Sequence, residues 1–186
     1  MDYFMCFCKP RKPIHLFKSI VENDYHSLNY LLSFLDKDMY NHLYNEDDLT
    51  PLMLASKLNH YEIVELLLKK DLDVLAINDE GKTALHIACA EGNDDIVFLL
   101  LQNNADVNLL DNHSKSPMDY AIQGNSIDVV AELCSYDVKL NNDELNNITN
   151  NEIKEFLKSI FNDDNEPSPP QTEHANDSPA PSLLPE

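Results

Sequence analysis

Residues 81–93, Gly81-Lys82-Thr83-Ala84-Leu85-His86-Ile87-Ala88-Cys89-Ala90-Glu91-Gly92-Asn93, open with the Gly-Lys-Thr that ends a nucleotide-binding P-loop. A P-loop needs a second glycine five positions earlier, because its backbone must turn tightly enough to aim N–H groups at phosphate oxygens. Ala76 stands there, and Asp79 and Glu80 place two carboxylates where phosphates would sit. Like charge in so small a loop repels the ligand, so Gly81-Lys82-Thr83 requires another reading.

That reading comes from comparing the chain with itself. LTPLMLASKLNHYEIVELLLKKDLDVLAINDE from Leu49, KTALHIACAEGNDDIVFLLLQNNADVNLLDNH from Lys82 and KSPMDYAIQGNSIDVVAELCSYDVKLNNDELN from Lys115 align with a step of 33. Thr50, Thr83 and Ser116 thereby become equivalent, as do Ala55, Ala88 and Ala121. A weaker copy from Pro13 aligns with a step of 36, so its connecting loop carries about three extra residues. The three hydroxyls directly precede Pro51, Ala84 and Pro117. A hydroxyl accepts the orphan N–H bonds of a helix start, and proline suits the first helical position. After breaks at Asn59, Gly92 and Asn125, a second apolar run follows in each copy: Ile63, Val64, Leu67; Ile96, Val97, Leu100; Val129, Val130, Leu133. Each copy therefore predicts two helices, and the polar turns at 78–81 and 111–114 predict projecting loops.

One such pair cannot bury both of its faces, so neighbours must stack and the ends must differ. The first copy carries polar Asn23, Asp24 and His26, as a cap would. Thr149-Asn150-Asn151-Glu152 has the form of a capping box, and Ile153, Phe156, Leu157 and Ile160 follow as an apolar stripe. A closing helix over about 150–161 is predicted. Residues 162–186 hold six prolines, six acids and neither Lys nor Arg, a composition that predicts a disordered tail.

With Thr-Pro-Leu or Thr-Ala-Leu-His opening units of 33 residues, the chain resembles the ankyrin-repeat family over roughly Lys12 to Phe161. The resemblance implies an all-α repeat solenoid: an ankyrin-type stack of helix pairs with projecting hairpin loops. Its repeats would span 13–48, 49–81, 82–114 and 115–147, with a capping helix at 150–161, an N-terminal arm at 1–11 and the tail at 162–186. Gly81-Lys82-Thr83 is then the turn entering a repeat. The sequence departs from the family pattern at Asp71 and Asn104, and at Asn59 and Asn125, where the family usually has glycine. Asn and Asp tolerate left-handed backbone best among the other residues. Met118-Asp119-Tyr120 replaces the Leu-His element of the third copy, and the hairpin of the fourth copy is expected to be irregular.

Composition limits the partners. The chain has 13 Lys and Arg against 33 Asp and Glu, a formal net charge of −20, which repels nucleic-acid phosphates and favours cationic ligands. Its length of 186 residues suits one core of ordinary size. Four unevenly spread cysteines do not make a secreted disulfide framework, so a reducing, cytoplasmic setting is expected. No window approaches the ~20 apolar residues of a membrane span. The N-terminus lacks the pattern of a secretory signal. A soluble monomer is expected.

The resemblance implies protein binding through loop tips and the first helices that line a concave face. Carried onto this sequence, that surface comprises Glu46, Asp47, Leu49, Lys57 and Leu58; Asp79, Glu80, Lys82, Ala90 and Glu91; and Asn112, His113, Lys115 and Gln123. Leu49 and Leu58 are expected to anchor a partner, because folding needs no apolar side chain at those positions. The acids of the first two loops predict a basic segment in the partner. The alternative for each charge is a plain solvated face.

Catalytic readings find little footing. His86 resembles the family's structural histidine, and Cys89 lies on a small apolar face without the electropositive surroundings of a nucleophile. The remaining histidines lack the i, i+4 pairing of a zinc-protease helix. No enzyme activity, cofactor, metal or small-molecule substrate is expected. A competing reading concerns the arm MDYFMCFCKPRK, where Cys6 and Cys8 precede Lys9, Arg11 and Lys12. Two acylated cysteines with a basic cluster would supply the several signals that stable membrane attachment needs. The alternative is an apolar arm packed against the first helix pair.

Overall fold

The computed structural model describes residues 14–35, 37–40, 42–140 and 148–161. Within them the chain runs α1 (Ile14–Val21), α2 (Tyr25–Leu32), the single turn α3 (Lys37–Tyr40), α4 (Pro51–Lys57), α5 (Tyr61–Lys69), α6 (Ala84–Glu91), α7 (Asp94–Gln102), α8 (Pro117–Gln123), α9 (Ile127–Cys134) and α10 (Asn151–Phe161), with no strand. The arm with Cys6 and Cys8 and the tail beyond Phe161 lie outside the described residues.

The helices start where the hydroxyls stand. Thr50, Thr83 and Ser116 have extended backbones, and their side chains accept the N–H of Met53, His86 and Asp119. The third residue answers in each case: Thr50 N–H donates to Met53 Sδ at 3.5 Å, Thr83 N–H to His86 Nδ1 at 3.1 Å, and Ser116 N–H to Asp119 Oδ2 at 2.7 Å. A thioether, an imidazole and a carboxylate thus close the same reciprocal box, which is why Asp119 is tolerated where the third copy has histidine. The breaks between helices are left-handed as expected, with φ of 57°, 73° and 60° at Asn59, Gly92 and Asn125, and 57° and 66° at Asp71 and Asn104.

Packing follows the step of 33. Helices α1, α4, α6 and α8 stack as one row, α2, α5, α7 and α9 as a second, and α10 packs on α9. Leu52, Leu85 and Met118, and likewise Leu67, Leu100 and Leu133, are at most 1% exposed. Burying each such side chain stabilises the stack by about 1.5–3 kcal/mol. Ala55, Ala88 and Ala121 are fully buried between the inner helices, whose close approach their small size permits. At the end of α8, a Cβ on Gly124 would lie 2.9 Å from the Ala90 carbonyl, so this approach needs glycine.

The ends differ from expectation in three ways. The extra residues of the first loop form α3, and buried Tyr40 ties that loop to the second unit by donating its hydroxyl to Lys70 O at 2.9 Å. The first unit is less polar than a cap should be, because Val21, Tyr30 and Phe34 are exposed. At α10 the cap is Asn150 rather than Thr149: its Oδ1 accepts Glu152 N–H at 2.7 Å and Ile153 N–H at 3.3 Å. The hairpin turn of the fourth copy, expected to be irregular, lies outside the described residues, but the chain leaving α9 departs from its equivalents. Asp137, equivalent to Asp71 and Asn104, is not left-handed, and Val138 N–H bonds Tyr136 O at 2.7 Å in a tight three-residue turn.

Candidate partner-binding surface

Each of the three projecting loops among the described residues is built around one side-chain oxygen. Asn45 Oδ1 accepts the N–H of Asp47 and Leu49 at 3.0 and 2.8 Å. Asn78 Oδ1 accepts those of Glu80 and Lys82 at 3.1 and 2.9 Å. Asp111 Oδ1 accepts those of His113 and Lys115 at 2.8 and 2.9 Å. Such side-chain-to-backbone bonding is what makes Asn and Asp turn formers. Each turn then reverses through a left-handed residue, Asp48, Gly81 or Ser114. The turns at 78–81 and 111–114 stand where the sequence predicts them, while the equivalent turn at Asn45 and the shared Asn/Asp role at 45, 78 and 111 are what the structure adds.

The loops also bond to one another. Asp79 N–H donates to Asp48 Oδ2 at 2.5 Å, Asn112 N–H to Glu80 O at 2.9 Å, and Asn112 Nδ2 to Asp79 O at 2.8 Å. Gly81 sits at this junction with φ 78°, where a Cβ would lie 2.9 Å from Asn112 N. Loop-to-loop approach therefore explains the glycine that first suggested a phosphate site.

Beneath the loops lies an open cleft of about 210 Å³ lined by residues of all four repeats. Asp47 lines it from the first repeat, Leu49, Lys57, Asn78 and Glu80 from the second, Lys82, His86, Ile87, Ala90 and Glu91 from the third, and Tyr120 from the fourth. Asp47, Leu49, Lys57, Glu80, Lys82, Ala90 and Glu91 were expected on the binding surface. Glu46, Leu58, Asp79, Asn112, His113, Lys115 and Gln123 lie outside the cleft lining. Glu46, Asp79, His113 and Gln123 are exposed, as is Leu58 at 37%. Leu49 requires a correction. It is 7% exposed and belongs to the hydrophobic core, because the turn that Asn45 builds folds its side chain inward, so it is not a free anchor. Asn112 is exposed, but its amide is committed to the neighbouring loop.

Tyr120, which the sequence reading did not select, organises the charges. Its hydroxyl donates to Asp111 Oδ2 at 2.7 Å, and Lys82 Nζ and Lys115 Nζ stand 5.1 and 5.6 Å from its ring centroid. Lys82 also pairs with Glu80 at 2.5 Å, which raises the lysine's pKa and lowers the carboxylate's. Lys115 donates to Gln123 Oε1 at 3.2 Å. These two cations are thus engaged within the fold, while Glu46, Asp47, Asp79 and Glu91 remain on the surface.

His86 is fully buried and bonds Thr83 through Nδ1. Burial lowers its pKa, opposed by the Lys115 backbone, the Asp111 charge and the Leu109 backbone, and its buried Nε2 has no hydrogen-bond partner among the described residues. The Cys89 thiol is buried and pushed well above its ordinary pKa, and partial burial pushes that of Cys134 up to about 11. Neither is poised as a thiolate nucleophile. Lys82→Ala should keep the fold, losing about 1 kcal/mol of exposed ion-pair and cation–π interaction. Titrating ATP or GTP into either form should give no binding heat in calorimetry, and micromolar affinity lost on substitution would restore the phosphate reading.

A sequence-family model described as Ankyrin repeats (3 copies) matches residues 14–111 and 73–144. No curated protein matches the chain. Ankyrin repeats are generally protein–protein interaction modules, and proteins built from them are typically non-enzymatic. Among the described residues no helix is long and apolar enough to cross a membrane. Equivalent caps, left-handed breaks and hairpin turns recur at the step of 33, and the matched span covers most of the chain, which belongs to the ankyrin-repeat family.

Proposed function

We propose that the protein is a monomeric, cytoplasmic, non-enzymatic adaptor that receives a basic segment of a partner protein across its hairpin loops and inner helices. The observation that carries this reading is the cleft, where side chains from four successive repeats converge with Asp47, Glu80 and Glu91 among them. Loops bonded to one another hold those groups in place before a partner arrives, which reduces the ordering cost of association. Free thiols at Cys89 and Cys134 suit a reducing compartment.

The test uses a partner captured from the protein's own cell lysate. Association should slow as salt rises, because exposed charges accelerate encounter and are screened beyond ~8–10 Å at 0.1–0.15 M. Leu58→Ala should leave association unchanged and speed dissociation severalfold, since contact losses fall mainly on the off-rate. Salt-independent association together with an unchanged off-rate would remove this surface from consideration.

A further inference from the structure

Tyr44, Ile77 and Leu110 stand one step of 33 apart, each directly before the residue that builds its loop. All three are exposed, at 39%, 49% and 56%. Tyr44 donates its hydroxyl to Ile77 O at 3.1 Å, and the next pair of loops is joined through Asn112 and Glu80, so the three side chains form a fixed row. Folding gains little from apolar side chains left in water at the same place in three loops. Carboxylates accompany the first two members: Glu46 and Asp47 follow Tyr44, and Asp79 and Glu80 follow Ile77, whereas Asn112 and His113 follow Leu110.

We infer that Tyr44, Ile77 and Leu110 form an apolar ridge that docks an extended, cationic segment of the partner with an apolar side chain at every third residue. This rests on the interaction reading above and names the partner's chemistry. Stacked helices lie about 8–10 Å apart, which sets the step between loops. Three residues of a polyproline-II chain advance about 9 Å, matching that step, whereas two residues of a β-strand advance only about 6.6 Å. A helix could match with one residue in seven, but it needs a groove with apolar walls. Here the row presents one such side chain per loop, with acids beside its first two members. The lysines or arginines belong between the first and second apolar residues, opposite Glu46, Asp47, Asp79 and Glu80.

The probe is a fluorescent peptide of four Leu-Lys-Pro repeats, compared with a permuted peptide of the same composition in which the leucines are paired. Anisotropy titrations at ~0.15 M salt should show the parent protein preferring the repeat peptide about tenfold, equivalent to about 1.4 kcal/mol. Ile77→Ser/Leu110→Ser should abolish that preference with an unchanged far-UV spectrum and urea midpoint, since both side chains are exposed. Asp94→Lys, exposed on the outer helix α7, should preserve it. Equal binding of both peptides by the parent overturns the inference, as does a preference that survives the double substitution. A preference abolished only by Glu91→Lys, in the cleft, overturns the ridge and leaves the cleft reading standing. If neither peptide binds saturably, the inference also fails, and the salt dependence with the captured partner decides the broader reading separately.

Discussion

Ala88→Asp should lower the urea midpoint of the native stack sharply or leave the stack unfolded at 25 °C. Ala88 is fully buried at the middle of α6, in the row where α6 packs against both α4 and α8. A carboxylate there has no cation to meet and must either stay charged without water or take up a proton. Either course costs several kcal/mol, against a total stability of about 5–15 kcal/mol for a domain of ordinary size. The position magnifies the loss, because a repeat stack is stabilised by nearest-neighbour interfaces and α6 contributes to two of them. Urea titration followed by circular dichroism should show a midpoint shifted sharply down or no folded baseline. Ala90→Asp, two residues along and exposed, supplies the control and should unfold like the parent. A parental midpoint for Ala88→Asp would mean that the residue is not enclosed by its neighbours.

The fold was legible in the sequence because its determinants repeat. A hydroxyl before α4, α6 and α8, alanine on the packed face of each, and Asn, Asp or Gly at the breaks that follow recur at one step, and each has a single conformational consequence. Where a feature occurs once, the sequence was a poorer guide. The turn α3 and the Tyr40 bond to Lys70 come from the one loop that breaks the step. The choice of Asn150 over Thr149 as the cap depends on a one-residue difference in where the chain enters α10, which two neighbouring capping residues cannot reveal by themselves.

The binding surface was legible by position and less so by exposure. Leu49 was expected outside because the stack needs no apolar residue there, yet the turn built by Asn45 carries it into the core. The row of Tyr44, Ile77 and Leu110 went unnoticed because each is an ordinary apolar residue in its own loop and becomes a surface feature only when three loops are set side by side. Tyr120 was hidden for a related reason. Its role comes from lysines of two different repeats converging on one ring, and no spacing along the chain announces that.

Asp79→Lys/Glu80→Lys should slow association with the captured basic partner about tenfold at low salt, with little change in dissociation. Both residues are exposed at the tip of the middle loop, where their charges meet an approaching segment before any contact forms. Reversing them turns attraction into repulsion over about a Debye length, and steering of this kind governs the on-rate. The loop should survive, because Asp79 and Glu80 tie it to its neighbours through backbone groups, namely Asp79 N–H to Asp48 and the two carbonyls to Asn112. The pairing of Glu80 with Lys82 is lost, but exposed pairs contribute at most about 1 kcal/mol. Asp94→Lys/Asp95→Lys makes the same change in net charge on the outer helix α7 and separates local steering from overall charge. That control should associate close to the parental rate, and the difference between the two double variants should shrink as salt rises towards 1 M, where the Debye length falls to about 3 Å. If both variants slow association equally, the partner senses only the net charge of −20 and the acidic loops are not its landing site.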